Sequence, residues 1–107
     1  MESGVDIVTT EFDGPLCGRV ANWDDHAVNH HVFDALKYRA PFFDQAVTAL
    51  IEDVYARGLD KRVLVAVGGE FGRTPTAQGT DVRDHNPDGF TMRMAGGGVT
   101  GGMSHGA

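Results

Sequence analysis

The spacing of apolar and polar residues changes most sharply at Val63-Leu64-Val65-Ala66-Val67-Gly68-Gly69-Glu70-Phe71-Gly72-Arg73-Thr74-Pro75. The first residues form an apolar, β-branched run, which predicts a buried strand. The run ends abruptly in glycines, an acid and a base. In open α/β sheets ligands gather just beyond the carboxyl ends of strands, so Glu70 and Arg73 stand where chemistry is expected.

Upstream, Phe33, Leu36, Ala40, Phe43, Val47, Leu50, Ile51 and Val54 recur at steps of three and four, predicting a helix from about His30 to Arg57. Asp34, Asp44, Glu52 and Asp53 lie off this stripe or flank it, as in a helix resting one face on a sheet. Pro41 lacks an N–H and crowds the preceding turn, which predicts a kink or break near Arg39-Ala40. Gly58 suits a left-handed cap. Val5 to Phe12, closed by Asp13-Gly14-Pro15, predicts a short first strand. Strand, helix and strand then have the length of a right-handed crossover, so two parallel strands are expected. A polar loop, Thr74 to Asp88, leads to a third short strand, Phe90 to Ala95, and a glycine-rich turn follows it.

A strand apolar on both faces calls for cover on both, yet only one amphipathic helix is visible. That mismatch predicts a fragment of a larger α/β protein. The start Met1-Glu2-Ser3-Gly4, almost directly into a strand, and the stop Ser104-His105-Gly106-Ala107 support the same expectation.

Composition narrows the picture. The 107 residues suit one small domain with a modest core, and neither an internal repeat nor a second domain is visible. At 41% hydrophobic and 22% charged the chain is of ordinary globular composition, and most of its 15 glycines fall in the second half. A net charge of -6, with nine scattered Lys and Arg, argues against nucleic acid and suits cations. One cysteine, Cys17, excludes an internal disulfide and a thiolate cluster. The sequence has no apolar run long enough for a membrane span and no signal-peptide pattern.

Among candidate groups, Asp24, Asp25 and His26 bring two carboxylates and an imidazole together, which suits a divalent ion. Taken alone, a helix cap with an exposed histidine is the stronger reading. Glu70 at a strand mouth needs a cation, a metal or hydrogen-bond donors, and an ion pair with Arg73 meets that need equally well. Asp84 and His85 carry little by themselves, and His30 and His31 suit the solvated start of the helix. Neither a phosphate loop nor a Gly-x-Ser-x-Gly elbow is present.

Together, Asn22-Trp23-Asp24-Asp25-His26, Gly69-Glu70-Phe71-Gly72-Arg73-Thr74-Pro75, Arg83-Asp84-His85 and Ala95-Gly96-Gly97-Gly98-Val99-Thr100-Gly101-Gly102 resemble, in order, the motifs of the domain of unknown function 1501 family. That bacterial family is related to sulfatases and alkaline phosphatases. The resemblance spans nearly the whole chain, and Glu-Phe-Gly-Arg-Thr-Pro is its most specific part. It implies an α/β fold, the carboxyl-proximal fragment of an alkaline-phosphatase-like (sulfatase-like) α/β/α sandwich with mostly parallel strands. It also implies one or two divalent metal ions (Zn, Mn, Ca or Mg) bound by Asp and His side chains, and a Ser, Thr or Cys nucleophile.

Carried over by position, Asp24, His26, Glu70 and His85 would be metal ligands, and Arg73 would steady the anionic group. Asp25 stands where relatives have a small hydroxyl residue, which leaves open which carboxylate ligates. Asn86 replaces an aromatic, Glu70 replaces an Asp-His pair, and the glycine-rich nucleophile motif is absent from this sequence. Twin-arginine export signals in relatives imply an exported parent protein. Three readings follow: a metal-dependent hydrolase acting on a small-molecule or glycan phosphate or sulfate ester, a non-catalytic binder of metal or anionic glycan, and a purely structural piece.

Overall fold

The helix forms where the periodicity places it. In the computed structural model, which describes residues 3–12, 23, 32–76 and 83–106, α1 spans Val32–Ala56. Exposed pairs Lys37–Asp34 at 2.7 Å and Arg57–Asp53 at 2.8 Å put the acid on the amino-terminal side of its base, the favourable order on a helix. At the far end Gly58 takes φ 66°, its N–H donates to Tyr55 O at 3.0 Å, and Leu59 N–H donates to Val54 O at 2.9 Å. These are the two bonds of a Schellman cap, and the sequence predicts it correctly.

Of the kink or break expected near Arg39-Ala40, the break does not occur. The 25 residues run through Pro41, although the carbonyl of Lys37 receives no bond from position 41. The packed stripe also differs from the predicted one. Ala35, Arg39 and Val54 are buried, with Phe43, Val47 and Ile51 half-buried between them, whereas Phe33 is 60% exposed and Leu50 49%. The reason lies in an aromatic cluster. Phe43 meets Phe12 at 5.7 Å and Trp23 at 5.5 Å, both edge-on, and the Arg39 guanidinium lies 5.8 Å from the Trp23 ring centre and 5.6 Å from that of Tyr38. Cation–π attraction offsets part of the cost of removing Arg39 from water and turns the start of the helix onto that side.

β1 (Leu64–Gly68), β2 (Gly72–Arg73), β3 (His85–Asn86) and β4 (Met92–Gly96) follow in order. β1 pairs with β4 and β2 with β3, both antiparallel. The described architecture is thus mixed α/β: one helix with two small antiparallel sheets. Residues 5–12, predicted as a first strand, are irregular and exposed, so the described residues contain no parallel crossover. β1 and β4 themselves fall close to their predicted positions. The register Val65↔Ala95 and Val67↔Arg93 puts Val65, Val67 and Ala95 on a half-buried face, in line with buried Val63, and α1 touches β4. The opposite face carries Leu64, Ala66, Met92 and Met94, all exposed. One covered face and one bare apolar face is what a single amphipathic helix provides.

The turn after β4 is built from glycines. Gly96, Gly97 and Gly98 have φ 75°, 58° and 83°, and Val99 N–H donates to Gly96 O at 3.0 Å. A Cβ on Gly96 would lie 2.3 Å from Val63 O, a backbone atom that cannot step aside. No helix among the described residues is long and apolar enough to cross a membrane.

Two substitutions follow from these contacts. Pro41→Ala restores a helix hydrogen bond and is expected to stabilise the fold by about 1–3 kcal/mol, read from the shift in a urea unfolding curve followed by far-UV circular dichroism. Gly96→Ala forces an L-residue into left-handed backbone against Val63 O. It is expected to cost about 1–3 kcal/mol, while Gly101→Ala, with open space around it, stays near wild type in the same assay.

Candidate functional site

The polar loop expected from Thr74 to Asp88 contains a short ladder. Gly72 pairs with Asn86 and Arg73 with His85, and Thr74 N–H adds a rung to Asp84 O at 2.9 Å. Two glycines permit this approach, since a Cβ on Gly72 would lie 1.9 Å from Gly89 O. Asn86-Pro87-Asp88-Gly89 has the composition of a type I turn, with Gly89 N–H to Asn86 O at 3.4 Å and Asp88 N–H to Asn86 Oδ1 at 3.3 Å. The ladder and this turn together hold the Arg83-Asp84-His85 motif against the Glu-Phe-Gly-Arg-Thr-Pro string.

Two arginines cross between the paired segments. Arg73 Nη1 donates to Arg83 O at 3.1 Å, and Arg83 Nη1 donates to Thr74 O at 2.9 Å and Pro75 O at 2.6 Å. Asp84 N–H donates to Thr74 Oγ1 at 3.2 Å, and that hydroxyl donates to Thr76 O at 3.0 Å. Arg73 Nη2 reaches further and donates to Trp23 O at 3.1 Å, fifty positions away in sequence. Both of these Arg73 bonds end on carbonyl oxygens, so its guanidinium braces the backbone of two other segments.

Of the predicted ligands, Glu70 lies in the link from β1 to β2 and is exposed, while His85 lies in β3 and is also exposed. His85 therefore belongs to the β2–β3 sheet, whereas Glu70 lies in neither sheet, between the end of β1 and the start of β2. Asp24, Asp25 and His26 lie outside the described residues, as do His30, His31 and Cys17. Trp23, next to Asp24, is described, and its carbonyl is tied to Arg73. Among the described residues no group of three or more His, Cys, Asp and Glu side chains is placed to hold a metal ion.

Phe71 and Arg83 are structural members of the site that motif reasoning quotes but does not assign. Phe71 stacks on His85, with ring centroids 3.8 Å apart. Its place between Glu70 and Gly72, at the end of an apolar run, is the only sequence signal for it.

The family model described as "Protein of unknown function (DUF1501)" matches residues 1–107. Neither the curated proteins nor the solved structures contain a match.

Gly72→Ala is expected to open the β2–β3 ladder, because its Cβ and Gly89 O cannot both keep their positions. Hydrogen exchange at the Thr74 amide should then accelerate by at least about tenfold relative to the Gly101→Ala control, as for an amide released to local opening. Unchanged protection would show that β2 and β3 are not packed as described.

Proposed function

The chain belongs to the DUF1501 family, and on that footing we propose that it supplies the ligand-bearing, carboxyl-proximal part of a metal-dependent hydrolase of phosphate or sulfate esters with an alkaline-phosphatase-like (sulfatase-like) α/β/α sandwich. The observation that supports this most is the fork of Arg73. One guanidinium joins Trp23 O, directly before Asp24, to Arg83 O, directly before Asp84-His85, and both to the β2 segment that follows Glu70. Three motif segments distant in sequence thereby meet at one side chain.

The donor types fit a divalent cation: two carboxylates, Asp24 and Glu70, and two imidazoles, His26 and His85, match the oxygen and nitrogen ligands of zinc or manganese sites. Glu70 and His85 are exposed, so solvent and substrate reach them. A bound divalent ion supplies Lewis-acid polarisation of the ester oxygens. The chain's own part is to hold these donors and to set the Arg73 cation beside the anionic group, where a fixed positive charge favours the charge that develops during transfer. The glycine-rich nucleophile motif is not among these 107 residues, so ester hydrolysis is proposed for protein that carries that motif as well.

Purified 107-residue chain and the full-length gene product, compared for bound metal and for turnover of aryl phosphate and aryl sulfate esters, test this reading. The short chain is expected to bind zinc weakly and to show no turnover. Glu70→Ala and His85→Ala should each lower zinc affinity at least about tenfold. Metal without turnover in the full-length protein would favour the non-catalytic binder, and absence of metal from both would favour the structural reading. Turnover that survives Glu70→Ala and His85→Ala would place the site elsewhere.

A further inference from the structure

The turn that closes the β2–β3 ladder contains a reactive pair. Asp88 is followed by Gly89, and among the described residues no other aspartate precedes a glycine. Both residues are exposed. Asp88 enters one hydrogen bond, through its own N–H to Asn86 Oδ1 at 3.3 Å, and its carboxylate accepts none among the described residues. Gly89 N–H reaches Asn86 O only at 3.4 Å, beyond the usual hydrogen-bond distance. A side chain that is not held therefore stands next to a backbone nitrogen that is weakly held, and glycine adds no Cβ to keep them apart. Asp84 has the opposite setting: its Oδ1 accepts the His85 N–H at 2.8 Å, and the residue that follows it carries a ring stacked on Phe71. Asn86 is protected differently, because Pro87 has no N–H and its nitrogen cannot attack. The Asp88–Gly89 turn also lies where the fold opens readily, since β2 and β3 are two residues long each and short exposed ladders belong to the least stable part of a structure.

We propose that Asp88 is a modification site: its side chain closes onto the Gly89 nitrogen and converts the Asp88–Gly89 linkage to isoaspartate. Gly89 N gives up its proton and bonds to Asp88 Cγ, a carboxyl oxygen leaves as water, and a succinimide results. Water then adds to either ring carbonyl. Opening at the original main-chain carbonyl leaves the chain running through Cγ, with a free α-carboxylate. The water lost is regained, so the conversion is an isomerisation that needs no further reactant. It is independent of the hydrolase reading. Isoaspartate adds a methylene to the main chain of the turn. Gly89 O faces Gly72 so closely that a Cβ there would lie 1.9 Å away, and a turn of changed length cannot keep that seating. The modification thus releases the Arg83-Asp84-His85 motif from the Glu-Phe-Gly-Arg-Thr-Pro string.

Ageing the purified chain for several weeks at neutral pH tests the proposal. Isoaspartate is detected by an isoaspartyl O-methyltransferase with a labelled methyl donor, which esterifies the free α-carboxylate. It is located by fragmentation of the tryptic peptide 84–93, which holds both Asp84 and Asp88 and is separate from Asp13-Gly14. Label is expected at 88 and not at 84, over the same weeks in which a synthetic peptide of residues 84–93 converts. Asp88→Glu should abolish it, since the larger ring closes far more slowly. Gly89→Ala should slow it severalfold without loss of the turn, because the added Cβ meets only Asn86 Nδ2, at 3.2 Å, the end of a side chain that can move. In the isomerised fraction, separated by chromatography, the Thr74 amide should exchange at least about tenfold faster than in unmodified protein, as for an amide released to local opening. Conversion of the free peptide but not of the folded chain would show that the fold protects the pair and overturns the proposal, as would equal conversion at 84. Isoaspartate at 88 with Thr74 protection unchanged overturns the release of the ladder.

Discussion

The arrangement of the described polar segments depends on the Arg73 guanidinium. It is planar and presents its N–H groups in a rigid fork, so one side chain can hold two carbonyl oxygens that lie in different directions. One of these belongs to Arg83, ten positions away, and the other to Trp23, fifty positions away. A lysine at this position would offer a flexible point charge and would not fix both directions at once. Arg83 returns the contact by donating to Thr74 O and Pro75 O, so the two segments are cross-braced by cations held on backbone.

A second cation, on α1, is held by aromatic rings. Arg39 is only 2% exposed and lies against the rings of Trp23 and Tyr38, while Phe43 adds its edge to Trp23. Trp23 thus takes part in both halves: its ring faces α1 and its carbonyl is tied to Arg73. Packing of the helix and geometry of the candidate site are connected through that residue. A change in the aromatic cluster would be felt at the backbone just before Asp24.

Between these polar fixtures the hydrophobic contribution is one-sided. Only Ala35, Val54 and Val63 are buried apolar residues among those described, and Leu64, Met92 and Met94 remain about half exposed on the outer face of β1 and β4. A two-stranded ribbon is marginal without cover, and α1 covers one of its faces. The apolar strand that calls for two layers is matched by one, as the alternation within β1 already implies. Glycine makes the close approaches possible at both ladders. At Gly72 the facing backbone is Gly89, and at Gly96 it is Val63.

What the sequence determined is local. The extent of α1, its Schellman cap at Gly58, the two longer strands and the glycine turn after β4 all depend on residues within a few positions of one another, where periodicity and capping act directly. The composition of the candidate site was legible too, as types of residue in an order that matches a family over residues 1–107. Tertiary structure decided the remainder. A helical pattern records which residues are apolar, not that Arg39 would be drawn inward by Trp23, so the buried stripe turned away from Phe33 and Leu36. Residues 5–12 have the composition of a strand but no described pairing partner, and β1 pairs antiparallel with β4 instead of lying parallel to them. The two-residue ladder of β2 and β3 is too short to leave a period. The carbonyls chosen by Arg73 leave no trace in side-chain chemistry at all, because every residue has one, and only the folded backbone determines which of them come within reach.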